Sequence, residues 1–152
     1  MDFSKIIIIG LGNPLLGDDG VGWRVAEQVR ELCEVDLDCL SVGGLSLMER
    51  LVGYDRAVLI DAITTGKQPT GSVSLYKLED LPDLSAGHTG SAHDTSLQNA
   101  LKLGQSMGVQ LPTEVVVVGI EAQSVYEFSE VLSPPVAAAI PQAVQMVMEL
   151  LK

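Results

Sequence analysis

The sequence predicts an α/β fold, a single three-layer domain in which a twisted, mainly parallel sheet of about five strands lies between helices. Three observations lead to this prediction. Four isoleucines, Ile6 to Ile9, are followed by Gly10, and such a β-branched run is typical of a strand buried on both faces. Apolar residues at helical spacing come next, at Val21, Val25, Val29 and Leu32. Strand and helix patterns then alternate along the chain, as in parallel α/β sheets.

The remaining elements follow in chain order. We expect a second strand over Asp36 to Val42, a short helix from Gly43 and Gly44 to about Val52, a buried strand over Ala57 to Ile60 and an edge strand between Gly71 and Leu78. Thr95 and Gln98 fit a capping box for a helix that carries Leu97, Leu101 and Met107. Val115 to Val118 form the last buried strand, and Pro134 or Pro135 begins a final helix that Pro141 must kink or divide.

Composition limits the possible partners. The chain has 152 residues, of which 47% are hydrophobic, so we expect one domain over residues 1–152 with a sizeable core. Its formal net charge of −11 opposes binding to nucleic acid or to acidic membranes, which leaves a neutral, basic or metallic partner.

Targeting and redox signals are lacking in the sequence. The amino-terminal residues do not fit a signal peptide, and the apolar stretch Val136 to Leu151 is interrupted by polar residues, so we expect a cytoplasmic protein without a membrane span. Cys33 and Cys39 fit neither a redox pair nor a zinc knuckle, and we interpret them as free thiols in the core.

Candidate functional residues follow the predicted strands. Asp18 and Asp19 lie in the loop after the first strand, and Asp61 ends the strand AVLID. A glycine- and serine-rich loop, LSAGHTGSAHD, carries both histidines, His88 and His93. Ligands of open α/β sheets collect at the carboxyl ends of strands, so these residues can meet in one crevice.

Two chemistries remain open for this set. Two carboxylates and an imidazole are suitable ligands for nickel or zinc and leave coordination positions for a partner to fill. The same groups can also act as general base and acid around a bound peptide.

Plainer interpretations apply to each residue alone. Asp18 is expected to cap the following helix, Glu121 is expected to have a surface role, and His88 is a weaker candidate than His93. A dinucleotide site is excluded, because Leu15 stands where the third glycine is required and the two aspartates would repel a pyrophosphate.

Five separated segments resemble the hydrogenase maturation proteases, which cleave precursors of nickel-iron hydrogenases. They are GLGNPLLGDDGVG (10–22), Asp61 in LIDAI, His93 in SAHDTSL, GIEAQS (119–124) and LSPPV (132–136). The resemblance implies a phosphorylase/hydrolase-like fold in which Asp19, Asp61 and His93 contact the metal and support catalysis. It also implies an aspartic-type endopeptidase that recognises nickel already seated in its substrate.

The resemblance further implies that the substrate is a hydrogenase large-subunit precursor, that a carboxyl-terminal extension is removed from it, and that no cofactor is permanently bound. We expect a monomer. Position 19 holds Asp, where some members of the family have Glu. Val42 precedes Gly43 and Gly44 where many members have Asp, which argues against a polar role for this position.

Three alternatives remain. The opening GLGNP is shared with peptidyl-tRNA hydrolases, but the similarity ends after these residues and the acidic chain is poorly suited to tRNA. A nickel carrier would use the same three side chains without cutting. An inactive relative that serves as a binding module is the third alternative.

Overall fold

A five-stranded sheet organises the protein, whose computed structural model describes residues 4–81, 96–123 and 125–152. The strands are β1 (Ile6–Leu11), β2 (Asp36–Leu40), β3 (Arg56–Ile63), β4 (Val73–Lys77) and β5 (Glu114–Glu121). The helices in this part of the chain are α1 (Val21–Leu32), α2 (Gly44–Arg50), α3 (Leu97–Ser106) and α4 (Pro134–Leu150). Two short 3-10 segments, Gly17–Gly20 and Leu78–Asp80, precede α1 and follow β4.

The order of the strands confirms the mainly parallel sheet. It is β2-β1-β3-β5-β4, in which β1 pairs in parallel with β2 and β3, and β3 pairs in parallel with β5. β4 is the exception, because it lies antiparallel to β5 at the edge of the sheet. The segment predicted as an edge strand therefore is one.

Apolar side chains cover both faces of the sheet, as the unbroken isoleucine run predicts. Ile8 belongs to the core cluster that includes residues of α1 and α4, whereas Ile7 and Ile9 belong to the cluster that includes residues of α2 and α3. Successive strand residues point to opposite faces, so one strand contributes to both clusters. The result is the three-layer arrangement expected from the sequence.

The position of β1 and β3 makes their carboxyl ends the natural place for a ligand. From β1 the chain passes through α1 to β2 at one edge, and then returns through α2 to β3 on the other side of β1. Ligands of open α/β sheets bind where the strand order reverses in this way. β1 and β3 are in register, with Gly10 opposite Ile60, so the loop after β1 lies beside the end of β3.

Several boundary and packing predictions were wrong. β2 ends at Leu40, earlier than predicted, while β3 and β5 extend three residues further, to Ile63 and Glu121. Leu32 and Met107, placed on buried helix faces by periodicity, are 60% and 71% exposed. Both lie at a helix end, where the neighbouring layer no longer covers the side chain.

The helix starts also differ from prediction. α3 is capped by Ser96, whose side chain accepts a hydrogen bond from the backbone N–H of Asn99, whereas Thr95 lies outside the described residues. Gln98 instead donates from Nε2 to the carbonyl oxygens of Leu78 and Leu81, at 2.6 and 2.9 Å. The predicted capping box is therefore replaced by a single cap and a tertiary contact.

The last helix, α4, begins at Pro134 as predicted and continues undivided through Pro141. Within residues 4–81, 96–123 and 125–152, neither α4 nor any other helix has the length and apolar character needed to cross a membrane.

Candidate functional site

The loop after β1 folds back tightly and holds the side chain of Asp19. Gly12 has a φ of +128°, and a Cβ atom there would lie 1.9 Å from the carbonyl oxygen of Asp19, so only glycine fits. The next residue, Asn13, donates its backbone N–H to Asp19 Oδ2 at 2.8 Å. The turn therefore fixes the direction of the carboxylate as well as the path of the backbone.

The start of α1 is wedged between the ends of β1 and β3. A Cβ atom on Gly22 would lie 2.4 Å from the carbonyl oxygen of Leu11 and 2.3 Å from that of Ile60. Asp61 directly follows Ile60, and the 3-10 segment that contains Asp19 contacts β3. The structure thus brings Asp19 and Asp61 to neighbouring positions near the carboxyl ends of the two central strands β1 and β3.

Both carboxylates are shielded from water. Asp19 is 2% exposed and Asp61 is 1% exposed. Burial of a carboxylate is costly unless hydrogen bonds, cations or metal ions compensate it, so two such residues at a ligand-binding edge are typical of a functional site.

The third residue of the predicted set, His93, lies outside the described residues, as does His88. Among the residues that the structure describes, no three His, Cys, Asp or Glu side chains are grouped closely enough to hold a metal ion. The described part of the predicted site is therefore the acid pair, Asp19 and Asp61.

Asp18 does not cap α1, contrary to the prediction. Its side chain is fully buried and accepts two hydrogen bonds from Ser133, the residue before α4: from the backbone N–H at 2.7 Å and from the hydroxyl at 2.9 Å. Gly20 precedes α1 without any side-chain cap. Asp18 therefore ties the loop after β1 to the start of the last helix, across 115 positions of sequence.

Glu121 is a further buried acid, so the surface role predicted for it was wrong. It is 4% exposed and accepts hydrogen bonds from the Thr65 hydroxyl at 2.5 Å and from the Gly66 backbone N–H at 3.1 Å. Its carboxylate shapes the turn after β3, because that turn supplies both donors. Its position at the end of a buried strand was the signal that could have identified it.

A cleft of about 440 Å³ opens beside this turn, at the carboxyl ends of the parallel strands. Its lining includes Thr64, Gly66, Glu121, Gln123 and Tyr126. These residues lie at or after the carboxyl ends of β3 and β5. The cleft therefore opens at the same end of the strands as Asp61.

Buried acids are concentrated at the carboxyl ends of the parallel strands. In the described parts of the chain the buried acidic residues are Asp18, Asp19, Asp61 and Glu121: Asp18 and Asp19 follow β1, Asp61 lies inside β3 near its carboxyl end, and Glu121 ends β5. Asp18 and Glu121 hold loops together, as their hydrogen bonds show. Asp19 and Asp61 are the two that lie at the reversal of the strand order, and oxygen ligands or a general base are the roles open to them.

The loop after β2 forms another border of the site. The Ser41 hydroxyl donates to the carbonyl oxygen of Gly12 at 2.6 Å, and the Gly12 N–H donates to the carbonyl of Leu40 at 3.1 Å. These bonds place the loop with Val42 beside the loop with Asp19. Val42 is 43% exposed, so this border presents an apolar side chain.

The two cysteines are free, as predicted, and pack against the core, but they are partly buried and not, as expected, fully enclosed. Burial raises the pKa of the Cys39 thiol, an effect that nearby Arg30 opposes and that Glu27 and Asp38 reinforce. A raised pKa keeps the thiol neutral and poorly nucleophilic, which agrees with a structural role.

Similar proteins point to one family. The model of the family described as "HycI: Hydrogenase maturation protease" matches residues 40–150. The chain is 27% identical to the hydrogenase expression/formation protein HupD of Rhizobium leguminosarum bv. viciae, over 97% of this chain and 74% of HupD. It is 28% identical to the hydrogenase 2 maturation protease of Escherichia coli K12, over 97% of this chain and 91% of that protein.

Solved structures agree. The hydrogenase maturating endopeptidase HybD of Escherichia coli superimposes with a TM-score of 0.79 at 26% identity, over 97% of this chain and 91% of HybD. A hydrogenase 2 maturation peptidase from a Thaumarchaeota archaeon superimposes with a TM-score of 0.69 at 31% identity, over 97% of both chains. The family match covers well over half of the sequence, and the fold is shared throughout. The chain belongs to the hydrogenase maturation protease family.

Proposed function

We propose that this protein is the endopeptidase that removes the carboxyl-terminal extension from the nickel-loaded large-subunit precursor of a nickel-iron hydrogenase. One observation carries the proposal beyond family membership. It is the placement of two buried carboxylates, Asp19 and Asp61, at the reversal of strand order between β1 and β3. A peptidase that recognises a metal ion in its substrate by coordinating it needs ligand atoms, such as carboxylate oxygens, at such a position.

Nickel in this proposal belongs to the substrate. Asp19, Asp61 and His93 contact a metal whose remaining ligands are the thiolates of the precursor, and the protein itself holds no permanent cofactor. Binding is then strong only when the ion is present, because the two partial ligand sets complete each other. The ion thereby reports that the precursor is ready for cleavage.

The cleavage step follows from the same groups. An aspartate or a metal-associated water assists attack on the scissile amide, and no covalent enzyme intermediate is formed. Asp19 is held by the Asn13 amide, so its free energy of reorganisation during binding is small. We propose that the reaction takes place in the cytoplasm and that the enzyme is a monomer.

The experiment is to incubate Asp61→Asn with nickel-loaded precursor and to measure the carboxyl-terminal mass of the precursor. We expect the variant to fold and to release no peptide. Asp55→Asn is the matched control: Asp55 is exposed at the other end of the same strand, and the asparagine keeps an oxygen for the Lys5 N–H, which donates to Asp55 at 2.8 Å. Normal processing by Asp61→Asn would remove Asp61 from the site.

A nickel carrier is distinguished by calorimetry with nickel alone. The proposed protease supplies only part of a ligand set, so we expect weak binding until the precursor adds thiolates. Tight binding of nickel to the isolated chain would favour the carrier. Membership of the maturation protease family argues against the peptidyl-tRNA hydrolase alternative.

A further inference from the structure

The loop between β5 and α4 exposes an unusual amount of apolar surface close to the proposed site. Tyr126, Phe128 and Val131 are 72%, 89% and 75% exposed, and they lie within six residues of one another. We call residues 125–131 the aromatic loop. Scattered exposed apolar residues are normal, but a cluster that includes two aromatic side chains is typical of an interaction surface.

The aromatic loop is fixed to the site by backbone hydrogen bonds. Ser129 donates its N–H to the carbonyl of Leu15 at 2.9 Å, and its own carbonyl accepts from Gly17 at 2.7 Å. Leu16 and Ser129 thereby form a parallel β-bridge between the aromatic loop and the loop that carries Asp19. The aromatic side chains are therefore exposed on a loop whose backbone is held in place by hydrogen bonds.

Two further contacts brace the same segment. Arg24, on the first turns of α1, donates from its guanidinium to the carbonyl of Glu130 at 2.9 Å. Asp18 holds Ser133 directly after the loop. A pre-organised surface loses little conformational entropy on binding, which favours its use as a docking platform.

The charge of the aromatic loop indicates what it binds. Exposed Glu127 and Glu130 alternate with the apolar side chains, and the chain carries a net charge of −11. A complementary surface has apolar side chains flanked by lysine or arginine, because like charges at the rim would oppose the encounter. Aromatic side chains also bind cations through their ring faces.

We propose that the aromatic loop is the docking surface for the hydrogenase large-subunit precursor, which it holds through an apolar patch with a basic rim. This inference rests on the proposed function. The β-bridge joins the aromatic loop to the Asp19 loop, so a precursor seated on the aromatic loop also meets the acid pair. Docking and metal recognition are thus performed by two loops that backbone hydrogen bonds join to each other.

The test compares Tyr126→Ser/Phe128→Ser with Met107→Ser. Met107 is a matched control, because it is 71% exposed but lies between α3 and β5, in the connection that leads to the amino-terminal end of β5. Release of the peptide is measured against the concentration of nickel-loaded precursor. We expect KM to rise about tenfold or more in the double variant with little change in kcat, since truncated aromatic anchors at interfaces typically cost this much. The control should match the wild type.

Charge is tested by Glu127→Gln/Glu130→Gln. We expect a higher KM at low salt and a weaker dependence of KM on ionic strength than in the wild type. An unchanged KM in both double variants would overturn the proposal. So would a wild-type dimer in sedimentation that the aromatic variant dissociates without any change in KM, because the loop would then bind a second copy of the chain.

Failure of the proposed function is separable from failure of the docking surface. If the wild type releases no peptide, the proposed function fails, and the precursor's affinity is then measured directly by calorimetry. Weaker binding by the aromatic variant than by Met107→Ser would support the docking surface even then. Equal affinities would overturn it.

Discussion

Replacing Asp18 with alanine tests the structural role that the geometry gives to this residue. Asp18 is fully buried, and its two oxygens accept hydrogen bonds from the backbone N–H and the hydroxyl of Ser133. Alanine removes both acceptors and leaves the part-buried N–H and hydroxyl of Ser133 without these partners. The expected result is a large loss of folding free energy, because the loop after β1 loses its side-chain tie to the start of α4.

The magnitude follows from the two bonds. A hydrogen bond to a charged group contributes about 1.5 to 3 kcal/mol, so Asp18→Ala, which removes two, is expected to lower the free energy of unfolding by about 3 to 6 kcal/mol. In a chain of this length that corresponds to a fall in melting temperature on the order of 10 °C. Ser133→Ala removes only the hydroxyl bond and keeps the backbone bond, so its cost is about 1.5 to 3 kcal/mol.

The assay is urea unfolding of wild type, Asp18→Ala, Ser133→Ala and the double variant. The cycle should show that Ser133→Ala costs much less once Asp18 is already absent. A loss below about 1 kcal/mol for Asp18→Ala, or additive effects of the two changes, would refute the assignment of Asp18 as the tie between the first loop and α4.

Three other expectations follow from the site. Gly22→Ala should lower the free energy of unfolding by about 3 kcal/mol in urea unfolding, because its Cβ meets two backbone carbonyls, whereas Gly104→Ala, which meets a flexible leucine tip, should cost under about 1 kcal/mol; similar losses would contradict the wedge. Glu121→Gln should cost about 1 to 3 kcal/mol in the same assay, and exposed Glu114→Gln on the same strand under about 1; equal costs would argue against the buried role. Because burial raises the pKa of Cys39, its alkylation by iodoacetamide at pH 8 should be slower than that of a cysteine peptide and should accelerate at higher pH; equal rates at pH 8 would show that the thiol is not protected.

Much of the fold is visible in the sequence because the strands are buried on both faces. The isoleucine run at Ile6 to Ile9 fills both core clusters, so its pattern alone identifies a central strand. Helix ends were harder to predict. Leu32 and Met107 continue the helical period, but whether another element covers them is decided by the neighbouring layers.

The site was predictable where it depends on topology and unpredictable where it depends on distant partners. Asp61 could be placed because it lies near the carboxyl end of a buried strand, and Asp19 because it follows one. The role of Asp18 depends on Ser133, which is 115 positions away, and no local pattern reveals that contact. The role of Glu121 likewise depends on distant residues, because its hydrogen-bond donors, Thr65 and Gly66, lie in the turn after β3. The position of His93 stays a prediction.

Whether Asp19 and Asp61 recognise the substrate's ion is tested by incubating nickel-loaded and nickel-free precursor with the wild-type enzyme and measuring the mass of each by mass spectrometry. If the acid pair near the carboxyl ends of β1 and β3 binds the metal, only the loaded precursor loses the mass of its carboxyl-terminal peptide. Equal shortening of both precursors would rule out metal recognition by the acid pair, because cleavage would then take place without any ion for Asp19 and Asp61 to bind.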